Sequence, residues 1–210
     1  MTAASALIIQ IRNRVNLSTA DDRVSDANLL DFINAAIQDV EAAESWPWRQ
    51  KIESVNLTNA GGNAFTPAAD WRTTLSLTLD DPSSVLQKRT WKWTRRLAIP
   101  DSTGVPKFYT EHAGTVYVYP SPDANYTLRH RYLETTDVLG STSATVANPD
   151  WFDHVIVTRA ASYVAQKMRD SELYQMLETQ YKQQLKVFRD EVARSYEPVT
   201  IATRRDWEYG

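Results

Sequence analysis

His112, His130 and His154 are the side chains of this 210-residue chain best suited to moving a proton near neutral pH. No two of them stand at a spacing that would let them share a metal ion, and the chain has no cysteine. Disulfides, thiolate nucleophiles and Cys-type metal sites are therefore excluded. His154 falls at the start of a helix that reads as buried, which is a structural position. His130 lies between Arg129 and Arg131 on a strand whose alternation groups it with Tyr126, Leu128 and Tyr132, so core packing accounts for it. Asp21-Asp22 and Asp80-Asp81 sit in turns, where capping explains paired carboxylates; on extended backbone, adjacent side chains point apart. No G-x-S-x-G, P-loop, G-x-G-x-x-G or H-E-x-x-H occurs, and Gly61-Gly62 reads as a turn. The chain is expected to be no enzyme, with no catalytic, metal-binding or cofactor-binding residues and no cofactor.

Two other stretches carry chemistry of a different kind. "QKRTWKWTRR" places Lys88, Arg89, Lys92, Arg95 and Arg96 around Trp91 and Trp93. Charge to follow phosphates and rings to stack bases is the combination used by binders of single-stranded nucleic acid. If the stretch is extended, both tryptophans share a face with Arg89 and Arg95, while Lys88, Lys92 and Arg96 project from the other. The structural alternative is an amphipathic edge strand or loop with Trp inward and the cations in solvent or on an acidic neighbour. A net charge of −3 and a pI near 5.6 oppose tight nucleic-acid binding by a single copy. The second stretch is the C-terminus, where "TIATRRDWEYG" shows neither helical period nor clean strand alternation. Ile201, Arg204, Arg205, Trp207 and Tyr209 are residue types typical of interface hot spots. They predict a docking segment, added to a partner as a strand or laid on it as an extended arm.

The elements that position these stretches follow from periodicity. A helix is expected over 3–16 on Leu7, Ile8, Ile11 and Val15, with Arg12 and Arg14 off the stripe. A second, capped by Ser25 or Asp26, carries Leu29, Ile33, Ala36, Ile37 and Val40 and stops before Pro47. The pattern then turns to strands: "VNLTNAGGNAF" as strand and turn, "TTLSLTL" with Leu75, Leu77 and Leu79 on one face, and "LDDPSS" as a turn or short helix start. "GTVYVYPSPDANYTLRHRY" reads as the clearest hairpin, turning at 120–125. A helix rich in apolar and small residues begins at Pro149 or Asp150. A last one, to about 194, bears Leu173, Leu177, Tyr181, Leu185, Phe188 and Val192, with Glu178–Lys182 as an i,i+4 pair.

The predicted fold class is α+β. Residues 1–48 with 149–195 form an α-helical bundle, 49–148 an inserted, mainly antiparallel β domain, and 196–210 an extended C-terminal docking arm. The 42% hydrophobic and 23% charged fractions are those of a globular chain, with aromatics plentiful enough to serve interfaces as well as a core. No stretch approaches the roughly 20 apolar residues of a membrane span, and the N-terminus lacks the pattern of a cleavable signal.

Four segments together resemble the phage head-to-tail adaptor (connector, or head-completion) family of the short-tailed-phage type. "RVSDANLLDFINAAIQDVEAAESWPW" is similar to its second helix, with Asn34 in an F-I-N-x-A context. "GVPKFYTEHAGTVYVYPSPDANYTLRHRYLE" resembles its β segment through Pro106, Tyr109, Gly114, Pro120, Pro122, Tyr126 and Tyr132. "NPDWFDHVIVTRAASYVA" and "ETQYKQQLKVFRDE" resemble its paired C-terminal helices. The resemblance implies a structural virion protein at the head–tail junction, present in the host cytoplasm during assembly. It implies a closed ring of about twelve copies beneath the portal that continues the DNA exit channel. Its partners would be the portal protein, a tail or nozzle protein, further copies of itself and passing genomic DNA read without sequence specificity, with no membrane. The arm would grip the portal, and no catalytic residues carry over. The readings that compete are a nucleic-acid-binding module centred on 87–96 and a glycan-binding protein using exposed Trp and Tyr.

Overall fold

The computed structural model describes residues 2–18, 23–58, 62–96, 102–136, 138–146 and 148–195. Its helices are α1 (Ala4–Arg14), α2 (Asp26–Ala43), the short α3 (Trp91–Arg96), α4 (Asp153–Met168) and α5 (Ser171–Ser195). Its strands are β1 (Gln50–Leu57), β2 (Ala64–Phe65), β3 (Trp71–Leu79), β4 (Ser84–Val85), β5 (Gln87–Lys88), β6 (Phe108–His112), β7 (Thr115–Tyr119) and β8 (Tyr126–Glu134). The class is α+β. The chain divides into two compact units, Met1–Glu44 with Val138–Gly210, and Ser45–Asp137. Asp21, Asp22, Gly61 and the predicted docking arm 196–210 lie outside the described residues.

In the helical unit α1, α2, α4 and α5 bury one core that includes Leu7, Ile11, Leu29, Ile33, Ile37, Ile156, Val164 and Leu177. α1 has no side-chain cap at Ala3. Its free first-turn amides are met instead by carbonyls of a distant loop: Ala4 N–H donates to Ala144 at 2.9 Å and Ser5 N–H to Thr142 at 2.8 Å. α2 begins as its sequence predicts, with the Ser25 hydroxyl accepting from Asn28 N–H. Arg12, expected off the apolar stripe, is buried; it donates to the Ser18 and Val24 carbonyls and pairs with Asp26 at 2.7 Å, closing the α1–α2 connection. Asn34 donates to the Leu139 carbonyl at 3.2 Å and accepts from its N–H at 2.9 Å, so one side chain satisfies both backbone groups of the returning chain.

α4 begins after a 3₁₀ turn at Asp150–Phe152 and ends at Arg169, which adopts the left-handed conformation. The Asp170 carboxylate then caps α5 by accepting from Leu173 N–H. The expected Glu178–Lys182 pair gives way to a longer-range bond. Glu178 accepts from Arg159 of α4, which also donates to Asp39 of α2 at 2.7 Å and lies over the rings of Tyr163 and Tyr181. A half-buried guanidinium offers Glu178 more than a solvated lysine on its own helix does.

The β unit holds two four-stranded sheets in the orders β1-β8-β3-β4 and β2-β7-β6-β5, antiparallel except for β5 with β6. Leu57, Leu77, Leu79 and Leu128 of the first pack with Tyr109, Val116 and Val118 of the second in one core. Val116 and Val118 are buried and Tyr117 and Tyr119 half-buried, as alternation predicts.

Two sequence expectations are corrected here. β7 and β8 do not form a hairpin, because they belong to different sheets. Beyond β7, Ser121 donates to the Ser102 carbonyl and accepts from Gly104 N–H, which carries the chain across instead of back. The hairpin partner of β7 is β6, through a two-residue turn with Ala113 and Gly114 at φ 49° and 78°, the geometry of a type I′ turn. β1 pairs with β8 and β2 with β7. Finally, Leu75 does not share a face with Leu77 and Leu79. The register of β3 on β8 shifts between Thr74 and Ser76, so Thr74 turns inward and Leu75 is 37% exposed.

This bulge predicts unequal costs for the two leucines. Leu77→Ala should lower unfolding free energy by about 2–4 kcal/mol and Leu75→Ala by less than about 1 kcal/mol in denaturant titrations.

Candidate functional site

The basic and aromatic stretch at 87–96 is only briefly extended. Gln87 N–H donates to the Lys107 carbonyl and Arg89 N–H to that of Tyr109, which sets β5 alongside β6. Residues 91–96 are then helical, which corrects the extended reading of both tryptophans on one face. The helix lays its rings on the outer face of the second sheet. Trp91 stacks on His112 at 4.2 Å with 6° between the planes and tilts against Tyr117, and Trp93 meets Phe108 edge-on at 5.0 Å. Arg89 lies 5.2 Å from the centres of both Trp93 and Phe108, and Lys88 pairs with Glu111 at 2.7 Å. Lys92 is exposed; the side chains of Arg95 and Arg96 lie outside the described residues. A stacking platform for bases needs ring faces open to solvent. Here His112 occupies one face of Trp91, and the cations nearest the rings are engaged with Glu111, Trp93 and Phe108. The arrangement favours the structural alternative, a covering for the sheet.

The geometry that most resembles catalytic machinery lies in the β unit, around His130. Trp71 Nε1 donates to Thr74 Oγ1 at 3.2 Å, Thr74 Oγ1 is 2.9 Å from His130 Nε2, and His130 Nδ1 is 2.7 Å from Glu53 Oε1. A carboxylate only accepts, so the bond to Glu53 takes the proton on Nδ1; in that neutral tautomer Nε2 accepts from the Thr74 hydroxyl, whose oxygen accepts from Trp71. The order hydroxyl–imidazole–carboxylate is that of a nucleophilic triad. Its burial is not: His130 is fully buried and Thr74 nearly so, and the indole N–H occupies the hydroxyl where a substrate carbonyl would be attacked. The Phe65 and Tyr132 rings flank the imidazole at 5.5 and 5.2 Å. The expectation that His130 packs in the core therefore holds, with polar partners that no local sequence pattern announces. Glu53 and Thr74 reach it from neighbouring strands, and the bulge beside Leu75 is what turns Thr74 inward.

Next to this relay, Lys51 pairs with Asp70 at 2.6 Å and with Glu134 at 2.5 Å, Arg49 pairs with Glu134 at 3.1 Å, and the Tyr132 hydroxyl donates to Asp70 at 3.0 Å. Bonds from the two carboxylates push Lys51 above the usual lysine range, and the bond from Lys51 holds Asp70 below the usual carboxylate range. Lys51 and Asp70 are thereby held in their charged forms, which suits cohesion and not proton transfer. His154 is exposed beside Phe188, and Asp80 pairs with Arg129 at 2.6 Å. Among the described residues no cluster of His, Cys, Asp or Glu could hold a metal ion, and no helix is long and apolar enough to cross a membrane. The described cavities, of about 220 Å³ beside Arg169 and Tyr174 and about 230 Å³ beside Ile9 and Arg12, gather no set of catalytic side chains.

The relay predicts that Thr74→Val, which preserves shape and removes the hydroxyl, strands both Trp71 Nε1–H and His130 Nε2. The cost should be about 1–3 kcal/mol in equilibrium unfolding. A second expectation concerns alkali. Burial first, with carboxylate neighbours second, pushes Tyr109, Tyr132 and Tyr163 from 10 up to about 12. The folded state holds these protons more tightly than the unfolded state does, so their stabilisation is complete below about pH 10 and is lost as pH rises through about 12. Near-ultraviolet titration should show them ionising later than tyrosines of the unfolded chain, with a parallel fall in stability.

A family model described as SU10 adaptor protein matches residues 1–202. No curated protein matches the chain.

Proposed function

Because the chain belongs to the SU10 adaptor protein family, a phage head–tail adaptor family, we propose that it forms a ring at the portal vertex, joins portal to tail and continues the channel through which the genome leaves. One observation carries the reading: the family match runs from residue 1 to residue 202, through the helical unit and the β unit alike. The architecture suits a structural part. Its strongest polar constellations, around Arg159, His130 and Lys51, hold elements together. Ring closure by copies related head-to-tail, about twelve in this reading, requires two different surfaces on each subunit. The segment 196–210, rich in Trp, Tyr and Arg, serves as the docking arm for the portal or a neighbouring copy, through Ile201, Arg204, Arg205, Trp207 and Tyr209. Passing DNA meets the channel without sequence readout. The Trp91–His112 stack speaks against the rival nucleic-acid module, since it takes up a ring face that bases would need. Membership of an adaptor family is what supports a structural, non-enzymatic role.

Deleting residues 196–210 should leave a folded chain that no longer joins portal rings. Circular dichroism and co-sedimentation with purified portal check this, and undiminished co-sedimentation would count against the arm. Electron-microscopy averages of the intact chain mixed with portal should show an added ring.

A further inference from the structure

β1 is the outermost strand of its sheet, with β8 on one side and, among the described residues, no strand on the other. The groups that face outward can be deduced. The Thr127 carbonyl accepts from Asp80 N–H and Thr135 N–H donates to the Asp70 carbonyl, so the odd-numbered residues of β8 turn their backbone groups towards β3. Their partners on β1 are Asn56 opposite Thr127, Ser54 opposite Arg129 and Ile52 opposite Arg131. In an antiparallel pair these residues must turn N–H and C=O away from β8, into the open edge. No hydrogen bond from those backbone groups to another described residue is present. The register from Gln50 to Leu57 is unbroken by bulge or proline, the usual devices that blunt an edge. Lys51 and Glu53, on the other face of the strand, are held by Asp70, Glu134 and His130, so neither side chain is turned to the edge. Ile52, 69% exposed, is a large apolar side chain left uncovered there.

We propose that this edge takes residues 199–203 of a second copy of the chain as an added strand. The inference rests on the reading of 196–210 as a docking arm and names its receptor. α5 ends at Ser195, and after Pro198 the sequence runs Val199, Thr200, Ile201, Ala202, Thr203, with no further proline and no glycine before Gly210. Four of those five residues are β-branched, the type that favours extended backbone. Five extended residues span roughly 17 Å, the length of the open edge from Ile52 to Asn56. With Val199, Ile201 and Thr203 on the outer face, their side chains cover Ile52. Each copy gives a tail and offers an edge, so the contact is head-to-tail and propagates around a ring.

The chain lacks cysteine, so introduced thiols report on the contact alone. Full-length Ser54→Cys chain mixed with full-length Ile201→Cys chain under mild oxidation should yield a disulfide-linked dimer of unlike chains. Ala202→Cys, facing the other side of the added strand, should yield at least about tenfold less. Adding Ile52→Pro to the Ser54→Cys chain should lower the yield about tenfold by removing an outward donor, while its melting curve stays that of the parent. Equal yields from positions 201 and 202, a bond indifferent to Ile52→Pro, or a doubly substituted chain that links only within itself would each overturn the proposal. Its failure is separable from that of the docking-arm reading. If the 196–210 deletion abolishes portal joining while no cross-link forms at Ser54, only the β1 receptor is lost; if the deletion joins portals normally, the arm itself is lost.

Discussion

The helical unit is closed by the amide of Asn34, which pairs with both backbone groups of Leu139 more than a hundred positions along the chain. Everything else in that unit presupposes this closure. The chain leaves at Glu44, builds the β unit and re-enters at Val138, so α4 and α5 reach α1 and α2 only if the returning segment is anchored. Closing so long a loop costs conformational entropy before any helix contact rewards it. Around the anchor the returning chain supplies Leu139 and Val146 to the core and the carbonyls of Thr142 and Ala144 to the bare N-terminus of α1. Arg159 in turn binds α2 and α5 to α4. Such satisfied polar cross-ties rigidify the bundle and specify one arrangement of its helices.

The β unit uses polar groups in the same way but within a sheet. Two register shifts in β3, between Trp71 and Thr73 and between Thr74 and Ser76, add residues that β8 does not match. The second rotates Thr74 into the relay with His130 and leaves Leu75 outside. A buried imidazole is costly unless both nitrogens are satisfied, and here partners on two neighbouring strands satisfy them. The relay therefore fixes strand register as well as contributing stability.

These internal commitments bear on function by subtraction. The aromatic and basic residues at 88, 89, 91 and 93 look, in isolation, like a surface waiting for a partner; folded, they are engaged with Phe108, Glu111, His112 and Tyr117. The backbone edge of β1, which carries no conspicuous residue type, is left without a neighbouring strand among the described residues. Membership of a phage adaptor family gives such an edge a context in which other phage proteins are at hand.

Much of this was legible in the sequence. Helical periodicity and capping residues located α1, α2 and the last two helices, and the shift to alternation marked the β segment, because these depend on neighbours within a turn or two of the chain. The alternation of Tyr126, Leu128, His130 and Tyr132 on one face was correct for the same reason. Absence of cysteine and of catalytic motifs is a property of composition and needed no fold. Which strand lies beside which was decided only in three dimensions. Two strands joined by a six-residue connection look the same in sequence whether they pair or cross between sheets, and a bulge such as that beside Leu75 depends on the partner strand. The polar cross-ties of Arg12, Asn34, Arg159 and His130 were hidden for the same physical reason: a side chain's partner is set by the packing of elements distant in sequence, and only the folded chain brings the two within hydrogen-bond reach.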